Sequence, residues 1–66
     1  MQLTVNGEIR ELPDGWTVAD LVTAVTGRAS GVAAAVNGEV VPRRGWAGAA
    51  LRAGDQVEVV TAVQGG

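Results

Sequence analysis

Two Asn-Gly dipeptides, Asn6-Gly7 and Asn37-Gly38, stand on either side of a single helix-forming stretch in a chain of 66 residues. Asn-Gly between alternating apolar runs is the strongest short-range hairpin signal, because a type I′ turn needs positive φ at both central residues. The chain therefore reads as hairpin, helix, hairpin, and that order leaves few folds open.

The first hairpin joins Met1 to Val5 with Glu8 to Leu12. Its register stays open. A strict two-residue loop puts Val5 opposite Glu8 and Thr4 opposite Ile9, which mixes the faces. A bulged three-residue loop pairs Val5 with Ile9 but throws Leu12 out of phase. Pro13-Asp14-Gly15 then supplies a turn. Thr17 has the character of an N-cap and Asp20 stands at N3, an acidic form of the capping box, with Trp16 and Leu21 at the spacing of a hydrophobic staple. Val18, Leu21, Val22 and Val25 line one helical face, and Gly27 stops the helix.

Gly31 to Asn37 reads as a third strand in which Ala33, Ala34 and Ala35 imply close approach of a packed element, most simply the helix. Glu39 to Val41 is a short fourth strand, confined by Pro42 to an edge or an end. Arg43 to Ala50 reads as a loop with at most one short 3₁₀ turn, and Trp46 as a satellite core residue covering it. Asp55 organises a turn that launches a last strand, Gln56 to Thr61, with Val57 and Val59 on one face and Glu58 and Val60 on the other. Strands clustered around one helix predict an α+β fold, a mixed sheet of about five strands wrapping that helix. Parallel first and last strands in its centre require the helical crossover. This is the β-grasp.

Composition removes most chemistry. There is no Cys, His, Lys or Tyr. Disulfides, thiolate ligands, cysteine nucleophiles, imidazole catalysis and zinc sites of the usual kind are excluded together, and no lysine side chain can accept an isopeptide bond. Twelve valines and 47% apolar content permit a core without Phe or Tyr. A net charge of −2 with no basic stripe argues against nucleic acid. Arg43-Arg44 reads as a solvated turn. No apolar run is long enough for a membrane span, and no signal-peptide pattern is present, so a cytoplasmic location is expected. The carboxylates at Glu8, Glu11, Asp14, Asp20 and Glu39 give no sign of the convergence a catalytic pair needs. An enzyme is not expected, and no metal site.

What remains is the end of the chain. Gly65-Gly66 follows the last strand, and two residues without a Cβ can enter a slot too narrow for any other. The residues 62–66 form an expected flexible tail on a domain spanning residues 1–61. Five extended residues reach roughly 17 Å, at ~3.3–3.6 Å each. Gly66 would present the carboxylate, Gly65, Gln64 and Val63 would deliver it, and Val60 and Ala62 near the tail's root are candidates for partner docking. A frayed terminus without a role is the competing reading.

The chain resembles the ThiS-type sulfur carriers of thiamine biosynthesis, in the ubiquitin-like β-grasp superfamily. The resemblance rests on Met1-Gln2-Leu3-Thr4-Val5-Asn6-Gly7-Glu8, on Val36-Asn37-Gly38-Glu39-Val40-Val41-Pro42-Arg43, on Trp46, and on Gly54-Asp55-Gln56-Val57-Glu58-Val59-Val60-Thr61-Ala62-Val63-Gln64-Gly65-Gly66. It implies that an E1-like adenylyltransferase of ThiF type, using ATP and magnesium, adenylates the Gly66 carboxylate. Sulfur from a persulfide donor protein would then displace AMP and leave a thiocarboxylate, which a thiazole synthase of ThiG type would consume. No cofactor is expected on the chain itself. Two alternatives stand beside this reading: the small subunit of molybdopterin synthase, with the same thiocarboxylate chemistry, and a β-grasp binding module that is never activated.

Overall fold

The computed structural model describes residues 1–28 and 30–62. Seven elements follow in chain order: β1 (Gln2–Val5), β2 (Glu8–Glu11), α1 (Val18–Val25), β3 (Val32–Val36), β4 (Glu39–Val41), a 3₁₀ helix (Arg43–Gly48) and β5 (Gln56–Thr61). The five strands form one sheet in the order β2-β1-β5-β3-β4. β1 and β5 run parallel, and the other neighbours are antiparallel. The last strand thus lies in the middle of the sheet. This is the ubiquitin-like β-grasp expected from the order of elements.

Both hairpin turns take the type I′ form, with φ of 51° and 82° at Asn6 and Gly7 and of 52° and 86° at Asn37 and Gly38. The tight first loop settles the register left open by the residues: Val5 faces Glu8, Thr4 faces Ile9 and Leu3 faces Arg10. Paired residues share a face, so Glu8 and Arg10 sit on the side of buried Leu3 and Val5, while Ile9 turns outward and is 70% exposed. β2 lies at the sheet edge and buries none of its four residues. One residue beyond it, Leu12 exchanges backbone bonds with Met1, at 2.8 and 2.6 Å, and returns to the core.

The helix begins as its sequence dictates. The Thr17 hydroxyl accepts the Asp20 N–H at 3.3 Å, and the Asp20 carboxylate accepts the Thr17 N–H at 2.9 Å. This reciprocal box satisfies two donors that helix geometry leaves without partners. Val18, Leu21 and Val22 are buried and meet Leu3, Val5, Ala34, Val57 and Val59 from the sheet in one cluster. Burying a Val or Leu side chain stabilises by roughly 1.5–3 kcal/mol, so these contacts hold the helix to the sheet.

Three expectations need correction. Of the three consecutive alanines only Ala34 is buried beneath the helix; Ala33 and Ala35 belong to the opposite face, since side chains alternate along a strand. The segment after Pro42 is more regular than a loop: Arg43–Gly48 completes a six-residue 3₁₀ helix, with bonds from Gly45 N–H to the Pro42 carbonyl at 2.8 Å and from Ala49 N–H to the Trp46 carbonyl at 3.2 Å. Trp46 is no satellite. It lies in the main core, and its indole N–H donates to the Val41 carbonyl at 2.8 Å.

Candidate functional site

Helix and 3₁₀ segment both cover one face of the sheet, and among the described residues no element covers the other. The pairing places Ile9 on it from β2, Glu58 and Val60 from β5, Ala33 and Ala35 from β3, and Val40 from β4. Val60 is 61% exposed, Ile9 70% and Val40 74%, and these are the large apolar side chains that the core leaves out. Val60 lies opposite Ala33, and Ala35 lies between Glu58 and Val40 in the neighbouring row. Small alanines between larger valines leave a shallow apolar surface with one carboxylate, Glu58, inside it. Exposed neighbouring apolar side chains of this kind mark contact surfaces more often than isolated ones do.

Of the expected docking residues, Val60 therefore points to solvent, not to the core. Ala62 is exposed, and its N–H donates to the Gly31 carbonyl at 2.6 Å, just before the start of β3. The tail residues Val63, Gln64, Gly65 and Gly66 lie outside the described residues. Ile9 and Val40 were not foreseen as surface residues. Val40 had a signal, since Val41 next to it alternates inward to the core cluster. Ile9 had none until the loop length was known.

β5 is held along its length by both Asn-Gly turns. The Asn37 carboxamide oxygen accepts the Gln56 N–H at 2.9 Å, and its amide group donates to the Asp55 carboxylate at 3.0 Å. Asp55 also accepts the Arg52 N–H at 2.8 Å, which makes it a turn organiser as expected. Near the other end of the strand, the Asn6 carboxamide oxygen accepts the Val59 N–H at 2.9 Å, and its amide group donates to the Val59 carbonyl at 3.2 Å. Sequence reasoning read both asparagines only as turn formers and missed these long-range bonds.

Two of the carboxylates converge on the N-terminus. Glu11 and Asp14 lie 3.0 and 3.1 Å from the Met1 ammonium, and hydrogen bonds to Glu11 first and Asp14 second hold that amine above its ordinary value of 8.0. Among the described residues no group of three or more Asp or Glu side chains is arranged to hold a metal. Nor is any described helix long and apolar enough to cross a membrane. An open groove of about 320 Å³ between α1 and the 3₁₀ helix is floored by Val22 and Trp46 and flanked by Arg28 and Arg43, on the side away from the open sheet face.

Comparison with known proteins agrees with this architecture. The ThiS family model matches residues 3–66. The sulfur carrier protein ThiS of Escherichia coli (strain K12) is 33% identical over 66 residues, covering the whole of both chains. The crystal structure of a thiamine biosynthesis protein (ThiS) from Geobacter metallireducens superposes with a TM-score of 0.83 at 32% identity, again over the whole of both chains. A model match that spans nearly every residue, joined to full-length identity and a shared fold, makes this chain a member of the ThiS family.

Proposed function

We propose that this chain is a sulfur carrier of thiamine biosynthesis whose cargo rides on the Gly66 carboxylate. The observation that carries the reading is that the family match runs through Gly65-Gly66, in a chain whose central strand β5 ends at Thr61. A carboxylate is a poor electrophile. An E1-like adenylyltransferase of ThiF type would supply ATP and magnesium, and attack of the carboxylate on the α-phosphate would release pyrophosphate and form an acyl-adenylate. The terminal sulfur of a donor protein's persulfide then displaces AMP. A thiol takes up the remaining donor sulfur and releases the thiocarboxylate. A thiazole synthase of ThiG type would consume that sulfur.

In this reading the chain is a protein co-substrate of cytoplasmic enzymes and not itself a catalyst. Val63, Gln64 and Gly65 deliver the terminus, while Val60 and Ala62, at the root of the tail, contribute to docking. The open face around Val60 fits that role because it borders the end of β5 and is not covered by the helix layer. The match to the ThiS family favours the thiamine branch over the small subunit of molybdopterin synthase.

Intact mass of the chain purified from its native host under thiamine starvation tests the proposal. A species heavier by one oxygen-to-sulfur exchange, localised to Gly66 by fragmentation, is expected. An unmodified terminus under starvation would overturn it. A C-terminal tag should abolish the modification, whereas a β-grasp module that is never activated would tolerate one.

A further inference from the structure

β1 ends at Val5, and the chain turns away at Asn6-Gly7. Its backbone pairing with β5 reaches no further than Val57, whose carbonyl accepts the Asn6 N–H at 2.9 Å. In a parallel ladder the next groups of β5 facing β1 are the N–H and carbonyl of Val59, and no β1 backbone remains to meet them. The Asn6 carboxamide meets both, accepting at 2.9 Å and donating at 3.2 Å. A primary amide carries the same donor and acceptor as a peptide unit, so the side chain continues the strand that the turn cut short. The φ of 51° at Asn6 serves the turn and this contact together.

We propose that Asn6 is a positioning residue for sulfur loading: by bonding both backbone groups of Val59 it fixes the direction in which β5 leaves the sheet at Ala62. The proposal rests on the carrier reading above. β3 holds one side of β5 as far as Thr61, and the Ala62 N–H reaches the Gly31 carbonyl. On the β1 side Asn6 makes the last bonds, three residues before Ala62, and without them the strand can pivot about its β3 edge. The Asn37 clamp differs. It holds Gln56, at the opposite end of the same strand, and orders its start rather than its exit. Asn37 therefore supplies an internal control with similar chemistry and similar bonding.

The test compares Asn6→Gly with Asn37→Gly. Glycine accepts the positive φ, so each change removes a carboxamide without straining a turn. The readout is ATP–pyrophosphate exchange by the ThiF-type enzyme of the same organism, run well below both melting temperatures. Asn6→Gly should lower kcat by about 10- to 100-fold, the size expected for a reacting group displaced by about 1 Å, with KM within about twofold. Asn37→Gly should lose comparable stability and keep kcat. Equal kcat loss in both variants, or unchanged kcat in Asn6→Gly, overturns the proposal, and so does a loss confined to KM. A second arm needs no partner: amide exchange at Val59 and Val60 should quicken by about tenfold in Asn6→Gly, as for a lost local bond, and hold in Asn37→Gly. If the wild-type chain supports no exchange, the carrier reading fails, and the amide arm alone decides whether Asn6 orders the root of the tail. Unchanged protection at Val59 then overturns the proposal.

Discussion

The Trp46 indole N–H donates to the Val41 carbonyl at 2.8 Å, tying the largest side chain of the core to the end of the edge strand β4. Trp46 is only 7% exposed, and the Arg43 guanidinium lies 5.9 Å from its ring centre. Replacing it by phenylalanine keeps much of the apolar area but leaves a half-buried carbonyl without its donor. An unsatisfied group of that kind costs about 1–3 kcal/mol, to which a small cavity adds. Trp46→Phe should therefore lower stability by about 2–4 kcal/mol in urea unfolding followed by circular dichroism. A loss below about 0.5 kcal/mol, the range of an ordinary surface change, would mean the indole bond is not holding β4 to the core.

The start of α1 gives a smaller and cleaner effect. The Thr17 hydroxyl accepts the Asp20 N–H, and the Thr17 N–H donates to the Asp20 carboxylate. Thr17→Ala should cost about 1 kcal/mol, within the usual 0.5–2 for a lost cap, and Thr17→Ser should restore most of it. Equal losses for Ala and Ser would show that the methyl group matters and the hydroxyl does not.

Alkaline pH isolates one group. The chain has no His, Cys, Lys or Tyr, so between roughly pH 6 and pH 11 the Met1 ammonium is the titrating group. Hydrogen bonds to Glu11 and Asp14 raise its pKa in the folded state above 8.0, the value it keeps when unfolded. Below 8.0 both states hold the proton and the stabilisation is complete. As pH rises past 8.0 the unfolded amine gives up its proton first, so stability falls until the folded amine also titrates. Urea midpoints should decline as pH rises above 8.0 in the wild type, and the decline should flatten in a Glu11→Gln, Asp14→Asn double variant. A flat wild-type profile would remove the link between this amine and the fold.

Local chemistry was legible in the sequence; chemistry between distant residues was not. The Thr17 box and both Asn-Gly turns lie within a few residues of chain, and each formed as its residues demanded. The parallel placement of β1 and β5 followed from counting strands about one helix. The bonds from Asn6 to Val59 span 53 positions, and no spacing rule links them. Likewise Ile9 looked equally suited to core or surface until the two-residue loop placed it opposite Thr4. Pro42 announced the end of β4, and the residues after it allowed at most one short 3₁₀ turn; the full six-residue 3₁₀ helix of Arg43–Gly48 was not legible, because such turns draw on hydrogen bonds that glycine-rich loops also satisfy. For the candidate site, Val60 and its outward direction came from simple alternation along β5. The neighbours that make it a surface, Ala33, Ala35 and Val40, needed the pairing of β3 with both β4 and β5.

Val60 offers the direct test of that surface. It is 61% exposed, pairs with Ala33 and shares its face with Glu58. A glutamate there loses little buried area, so Val60→Glu should change stability by no more than about 0.5 kcal/mol. On a partner's apolar surface the same change buries a charge next to the Glu58 carboxylate, which desolvation and like-charge repulsion both oppose. In ATP–pyrophosphate exchange by the ThiF-type enzyme, Val60→Glu should raise KM for the carrier by about tenfold or more, one to three kcal/mol of lost docking, and leave kcat near wild type. Val40→Glu, on the same face but at the far edge strand, should act in the same direction and more weakly. A kcat loss without a KM change in Val60→Glu would place this residue in tail delivery instead of docking. Wild-type kinetics in both variants would move the partner contact off the open face altogether.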